Sequence, residues 1–464
     1  MAKPSRKPAA SVTPARNEAF SILMEIERNP GAHADELLRA PRVSALSAQD
    51  RNLCTTLVLG ALRWQIALDA AIRTKLSKPN AKLDAAVRIA LRMGLFQLQY
   101  LDRVPAHAAI GESVSLARRA GHQFASGMVN AVLRSLAGSR RPGSDVLAES
   151  AQELAAATAH PLWMVERWVA QYGLEAARAI CANGQRQPEL AIRLENPSAE
   201  AELIAEGIQL APGAILSATR RVLSGDVTAT AAFRAGRVRI QEEGSQLIAE
   251  LARLRDATRI LDCCAAPGGK TLILAQRNPQ ARVTALEVSP ARCEALRERV
   301  AVSAYAGQIE VRQGDAAELS GEAAYDLVLA DVPCSGTGTL GRNPEIRHRL
   351  QVADLARHRE RQCAILCGAL KAGMKRVIYS TCSLEPEENA AAVAEALASH
   401  PDWRQIPVAE ILTQLRNEGI LETGGDTPLP DWQSPDGSMT ILPGSLGPDV
   451  QTDGFFVAIL EKSV

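Results

Sequence analysis

The 464-residue sequence predicts a multidomain protein: an all-α helix bundle, a small α/β connector, and a doubly wound α/β domain with a mostly parallel sheet. Three observations carry this reading. Apolar residues recur at helical spacing from residue 16 to about 137, a charged Gly/Pro/Ser-rich stretch follows, and from about residue 241 apolar strand-like runs alternate with helical segments. Such alternation builds parallel strands joined by right-handed crossovers, with ligands held beyond the strands' carboxyl ends. Length agrees, because domains of roughly 100–200 residues make two to four of them here.

Residues 1–15 are basic, contain Ala, Pro and Ser and lack an apolar core, so a disordered extension is expected rather than a targeting leader. The bundle spans 16–143. Ala19, Phe20, Ile22, Leu23 and Ile26 set one apolar stripe, Leu53, Leu57, Val58 and Leu62 a second, and Val87, Leu91, Leu95 and Leu98 a third. The turn-rich Gly138-Ser139-Arg140-Arg141-Pro142-Gly143-Ser144 ends it. Over 144–240, helices at Trp163–Tyr172 and Glu175–Ala182 precede short β-like pieces such as Leu190–Leu194. The last domain, 241–464, carries strands at Arg259–Cys264, Ala281–Glu287, Ile309–Arg312, Tyr325–Asp331, Arg376–Thr381 and Gly454–Leu460.

Charge is unevenly spread. Lys plus Arg equals Asp plus Glu at 52 each, yet residues 1–143 hold 21 basic against 10 acidic residues and the remainder 31 against 42. A basic helical end suits a polyanion. No run of about 18 uncharged apolar residues exists, so a cytoplasmic protein with no membrane partner is expected. Nine cysteines, an odd number in a long chain, argue against a disulfide framework. Cys363 and Cys367 stand four apart in a helical pattern with no second ligand pair nearby, so packing rather than zinc is expected there, and no metal elsewhere.

The motifs fall at strand ends. Leu261-Asp262-Cys263-Cys264-Ala265-Ala266-Pro267-Gly268-Gly269-Lys270-Thr271 is a strand, a Gly-rich turn and a helix start. Its backbone, over Cys264, Ala265, Ala266, Pro267, Gly268, Gly269 and Lys270, lets a ligand approach closely and offers helix N-terminal amides to a carboxylate or phosphate. The next strand ends in Glu287, placed to accept ribose hydroxyls, and Asp315 follows the third, placed for an adenine amino group. A turn, an acid and an acid fit S-adenosylmethionine. The G-x-G-x-x-G of dinucleotide sites is absent.

Beside that cofactor stand two thiols, Cys334 in Asp331-Val332-Pro333-Cys334-Ser335-Gly336-Thr337-Gly338 and Cys382 in Ser380-Thr381-Cys382-Ser383. Carbon 5 of a pyrimidine is a poor nucleophile. A thiolate added at carbon 6 makes an enamine whose carbon 5 attacks the methylsulfonium, after which a base takes the carbon-5 proton and the thiol leaves. Either cysteine has the chemistry to attack: the Pro-Cys element points to Cys334, as in DNA cytosine methyltransferases, and the second Thr-Cys-Ser site favours an RNA arrangement in which Cys382 attacks, Cys334 assists release and Asp331 meets the base at N3. A thiol of pKa about 8.5 is roughly 10% ionised near neutrality, so full ionisation gains only about tenfold and positioning must supply most of the rate.

These residues carry a resemblance. Residues 241–464 are similar to the Sun-type family of RNA cytosine-5 methyltransferases, with Asp262 to Thr271 resembling its cofactor loop, Asp331 to Gly338 its Asp-Ala-Pro-Cys-Ser element and Ser380 to Asn389 its Thr-Cys-Ser…Glu-Glu-Asn element. The resemblance implies a Rossmann-like methyltransferase domain, S-adenosylmethionine on Cys264 to Lys270, Glu287, Asp315 and Asp331, a nucleophile at Cys382 and a release cysteine at Cys334. Departures are small: Glu287 for the usual Asp, Val332 for Ala, and an extra Cys263. Asp50 to Trp64, Arg92 to His107 and Gly127 to Arg134 resemble the NusB-type RNA-binding domain. That fusion implies a bacterial enzyme acting on small-subunit ribosomal RNA, with Arg51, Arg63, Arg118, Arg119 and Arg134 as phosphate contacts. His107 is expected to pack between helices or bond backbone, and a monomer is expected. Two other readings stand beside this one, a tRNA cytosine-5 methyltransferase and a non-catalytic ribosome-assembly protein, the latter disfavoured by retention of both cysteines and Asp331.

Overall fold

A computed structural model describes residues 12–139, 148–320, 323–422, 432–447 and 450–463. Most of the basic extension, and the expected boundary from residue 140 on, lie outside the described residues. The described chain forms two compact units: residues up to Gln187 together with Leu340–Arg349, and Pro188–Thr339 together with Leu350–Val464. The division differs from the expected three parts. The helices expected in the connector group with the bundle, its strands group with the doubly wound sheet, and a ten-residue piece of the C-terminal half is built into the helical unit.

In the helical unit, Pro14–Arg28, Ala48–Arg63, Gln65–Arg73, Ala85–Tyr100, Ala106–Arg119 and Ser126–Leu136 bury one apolar face each, including Ile22, Leu57, Leu91, Leu95 and Leu133. The first helix starts inside the stretch expected to be disordered. Pro14 sits in its first turn, and the Thr13 backbone N–H and hydroxyl both donate to Glu112 at 2.8 Å, which fixes the entry. Gly60 permits the closest approach: a Cβ there would lie 1.9 Å from Phe96 Cζ. The two helices expected at 163–182 are both present within Leu162–Gly184, separated at Gly173, whose φ of +81° and ψ of 163° are not helical.

Leu340–Arg349 is held by backbone. The Arg349 guanidinium donates to the carbonyls of Ile26 (2.6 Å), Asn29 (3.2 Å), Pro30 (2.8 Å) and Ala32 (2.6 Å), meeting the end of the first helix where unsatisfied carbonyls collect. His348 lies 2.7 Å from the Leu62 carbonyl, and Arg347 donates to the carbonyls of Arg63 at 3.2 Å and Gly184 at 3.1 Å.

The second unit has two sheets. The smaller is antiparallel, in the order β2-β3-β1-β4, from β1 (Leu190–Leu194), β2 (Gln209–Pro212), β3 (Thr219–Ser224) and β4 (Val238–Ile240), with the helix Ser198–Ala205 closing a core of Ile192, Leu194, Leu203 and Val238. The larger contains β5 (Arg259–Asp262), β6 (Arg282–Glu287), β7 (Ile309–Gln313), β8 (Tyr325–Asp331), β9 (Gly373–Thr381), β10 (Trp403–Ile406), β11 (Met439–Ile441) and β12 (Phe455–Lys462). Its order is β10-β12-β9-β8-β5-β6-β7, with β11 on β12. Strands β5 to β9 pair in parallel, and their apolar runs are buried on both faces. The last expected strand, β12, pairs antiparallel with β9 rather than extending the parallel set. Chain order runs outward from β5 to β7, then returns to β8 on the other side. That reversal puts a crevice beyond the carboxyl ends of β5 and β8.

Candidate active site

At the end of β5 the chain turns through Cys263 to Gly268 before the helix Gly269–Arg277. Asp262 and Thr271 staple the two sides of the turn, the Thr271 hydroxyl donating at 2.7 Å. Burial lifts the Asp262 carboxyl to about 7, against the opposing pull of that hydrogen bond. Gly268 has φ +99°, and a Cβ on it would lie 2.7 Å from Leu296 Cδ1, so only glycine lets the loop turn this tightly. Cys264 to Gly268 form the turn between β5 and the helix Gly269–Arg277, with the Ala266–Pro267 peptide cis.

Glu287 ends β6 and is buried. One carboxylate oxygen accepts the Ser289 N–H at 2.9 Å, and the other is 3.8 Å from Arg292. Asp315 caps the short turn after β7 by accepting the Ala317 N–H at 2.9 Å, and both its oxygens receive the Arg361 guanidinium at 2.7 Å. Arg361 was not foreseen, because it comes from the helix Val352–Ala372, 46 residues later.

Lys270 is differently placed from the rest of its loop. Its ammonium pairs with Asp331 at 2.9 Å and donates to Ser245 Oγ at 2.8 Å. Burial opposes that charge, but the Asp331 carboxylate outweighs it and keeps the amine protonated. The second Asp331 oxygen accepts from Ser380 Oγ at 2.8 Å, so a cation and a hydroxyl fix its plane.

The two thiols meet. Cys334 Sγ and Cys382 Sγ are 3.2 Å apart, each half-exposed in the turn that follows its strand, β8 or β9. Backbone joins these turns: Gly338 N–H donates to the Cys382 carbonyl at 2.9 Å, and Leu384 N–H to Thr337 Oγ1 at 2.9 Å. The hydrogen bond with Cys382 and burial both push the Cys334 thiol well above the usual range, so it stays protonated. Cys363 packs against the Ala392 carbonyl, and among the described residues no cluster has the makings of a metal site.

The expected phosphate contacts divide. Arg118, Arg119 and Arg134 are exposed, and Arg51 is half-buried. Arg63 is a correction: it is buried, donates to the Gly341 carbonyl at 2.9 Å, and burial lowers its guanidinium to about 10. It anchors the Leu340–Arg349 segment and has no surface to offer a phosphate. His107 is a second correction, being exposed in the first turn of its helix rather than packed between helices. No helix among the described residues is long and apolar enough to cross a membrane.

Comparison with known proteins agrees with this anatomy. Residues 249–461 match the family of 16S rRNA methyltransferase RsmB/F, residues 13–138 the NusB family, and residues 160–216 the ferredoxin-like domain of the RsmF/B-like methyltransferases. The probable ribosomal RNA small subunit methyltransferase B of Bacillus subtilis is 32% identical over 97% of this chain and 99% of its own. Ribosomal RNA small subunit methyltransferase B of Pseudomonas syringae is 32% identical over 79% of this chain and 83% of its own. Among solved structures, that of PH0851 has the same fold, with a TM-score of 0.77 at 21% identity over 98% of this chain and 100% of that one. With a helical NusB-type domain, a ferredoxin-like sheet and a methyltransferase sheet in that order, the chain belongs to the RsmB/F family of 16S rRNA methyltransferases.

Proposed function

We propose that this rRNA methyltransferase modifies carbon 5 of an unpaired cytosine in small-subunit ribosomal RNA through a covalent bond to Cys382. One observation carries the reading: two thiols 3.2 Å apart in the turns that follow β8 and β9, with the carboxylate that ends β8 fixed by Lys270 and Ser380. Addition and elimination at a pyrimidine need a nucleophile and a second group to take the ring proton.

The crevice fits S-adenosyl-L-methionine: glycine at 268 lets the loop turn tightly at the end of β5, and Glu287 carries a buried carboxylate whose second oxygen, 3.8 Å from Arg292, can accept ribose hydroxyls. Bound there, the cofactor supplies an electrophilic methyl group. Cys382 forms the bond to carbon 6, pushing the electron pair toward carbon 5. Asp331, kept in place by Lys270, holds the N3 edge as charge develops on the ring. Cys334, protonated at rest, stabilises the attacking sulfur through its S–H; once that sulfur is bonded to carbon 6, Cys334 gives its proton to solvent water and, as thiolate, takes the carbon-5 proton. The carbon 6–sulfur bond then breaks and its electron pair returns to Cys382. Because the base must lie flat between a thiol and a methyl donor, loop cytosines should react far better than paired ones.

Bisulfite sequencing of unmodified small-subunit RNA after incubation with the protein and S-adenosyl-L-methionine tests this. Protection of a single cytosine is expected; protection only in tRNA, or methylation at an atom other than carbon 5, overturns it. The exposed Arg118, Arg119 and Arg134 supply RNA affinity. If roughly 6 phosphates are neutralised, single-stranded RNA binding should fall with a log–log salt slope near about −4, measured by fluorescence anisotropy. A slope close to zero would remove the helical unit from RNA capture.

A further inference from the structure

Resting on the reading of Cys382 and Cys334 as the reacting thiols, we propose that Glu388 is a positioning residue that sets the separation of the two sulfurs. Its carboxylate is fully buried, and among the described residues no Lys, Arg or His pairs with it. Four donors satisfy it instead. One oxygen accepts the Ser335 N–H at 2.8 Å and the Gln362 side-chain amide at 2.9 Å; the other accepts the hydroxyls of both Ser335 and Ser383.

These donors sit beside the chemistry. Ser335 follows Cys334 and Ser383 follows Cys382, and their hydroxyls are 3.1 Å apart, close to the 3.2 Å between the sulfurs. Gln362 also donates to the Pro333 carbonyl at 3.0 Å, so both neighbours of Cys334 are tied to the same carboxylate. The next residue completes the set for the other thiol: Asn389 accepts from Thr381 Oγ1 at 2.6 Å and donates to the Ser383 carbonyl at 2.9 Å. Every residue flanking either cysteine is thereby fixed while the thiols are left outside the network.

The chemistry of the group explains its choice. A carboxylate offers about four acceptor sites on two oxygens, whereas an amide offers acceptors on one oxygen only and turns its NH2 toward the other donors. Burial of an unpaired carboxylate is costly unless hydrogen bonds meet all of it, and here they do. Positional errors near 1 Å cost about 100-fold in rate, so a group that fixes the sulfur separation acts on turnover rather than on affinity.

Phenylarsine oxide tests the separation directly, because arsenic(III) closes a ring only across two neighbouring thiols, forming two As–S bonds and releasing water. The wild-type protein should capture one equivalent in a manner lost in both Cys334→Ala and Cys382→Ala. In Glu388→Ala, capture should slow about tenfold and kcat fall about 100-fold, with KM for RNA and S-adenosyl-L-methionine binding little changed, and Glu388→Gln should recover part of both. Should Glu388→Ala fail to fold, Ser383→Ala removes one of the same contacts with the carboxylate in place and should slow capture and turnover by about threefold. Wild-type capture and kcat in a folded Glu388→Ala, or in Ser383→Ala, would overturn the proposal. Glu388-dependent capture in a protein that methylates no cytosine would instead sink the proposed reaction and leave the positioning role standing.

Discussion

Cys382→Ala should lose methyl transfer and every covalent protein–RNA species together, a fall of at least about 1,000-fold, because no group remains to raise the electron density at carbon 5. Cys334→Ala should behave in the opposite sense on a denaturing gel. The bond to carbon 6 forms and the methyl arrives, but the carbon-5 proton has no nearby acceptor, so a protein–RNA adduct accumulates while turnover drops. The two variants separate roles that 3.2 Å of distance otherwise merges. If the adduct appeared in Cys382→Ala and vanished in Cys334→Ala, the two sulfurs would have exchanged roles and the site would work as DNA cytosine methyltransferases do.

Glu250→Gln should destabilise the second unit by about 3–5 kcal/mol, because it strips a buried guanidinium of its counter-charge. Arg193, on the small sheet, is 1% exposed and donates to Glu250 at 2.8 Å; Arg277 grips the same carboxylate at 2.7 and 2.8 Å. Burial works to raise the Glu250 carboxyl, and the two guanidiniums outweigh it, so it lies below the usual range. A carboxyl depressed in the folded state adds stability that is present above its unfolded pKa of about 4.3 and lost as pH falls through the folded value. The gap between wild type and Glu250→Gln in urea midpoint, followed by cofactor binding, should therefore be full at neutral pH and narrow below about pH 4. A gap under about 1 kcal/mol at pH 7 would mean that water reaches Arg193.

What was legible in the sequence tracks burial on both faces. Tyr325–Asp331 was read to the residue, because the apolar Leu327–Ala330, set between Asp326 and Asp331 and followed by a polar turn, is too short for a helix. The antiparallel β10 and the short β11 left no such mark, and β3 reads Thr-Arg-Arg-Val-Leu-Ser because much of it faces water. In the site, Cys334 and Cys382 were found because each stands in a turn at a strand end. Glu388 was seen only as part of the Glu-Glu-Asn element and given no role, and Arg361 was not found, because a charged residue in a helix or loop looks solvated until the fold buries it or brings an opposite charge to it. Arg63 failed for the same reason: composition marks a guanidinium as surface, and only the packing of Leu340–Arg349 reveals that it is covered.

That segment also sets an order of events during synthesis. The helical unit needs residues 340 to 349, yet 153 positions separate them from Gln187, where its first stretch ends. Arg349 follows Ala32 by 317 positions, so at about 5–20 residues per second roughly fifteen to sixty seconds pass with the carbonyls of Ile26, Asn29, Pro30 and Ala32 awaiting it. The N-terminal unit, first off the ribosome, is thus completed late, and by chain leading directly away from the Cys334 turn. A chain released before residue 340 would carry this unit unfinished and would also lack Cys382, the proposed nucleophile, so no product truncated there pairs a completed helical unit with a complete site.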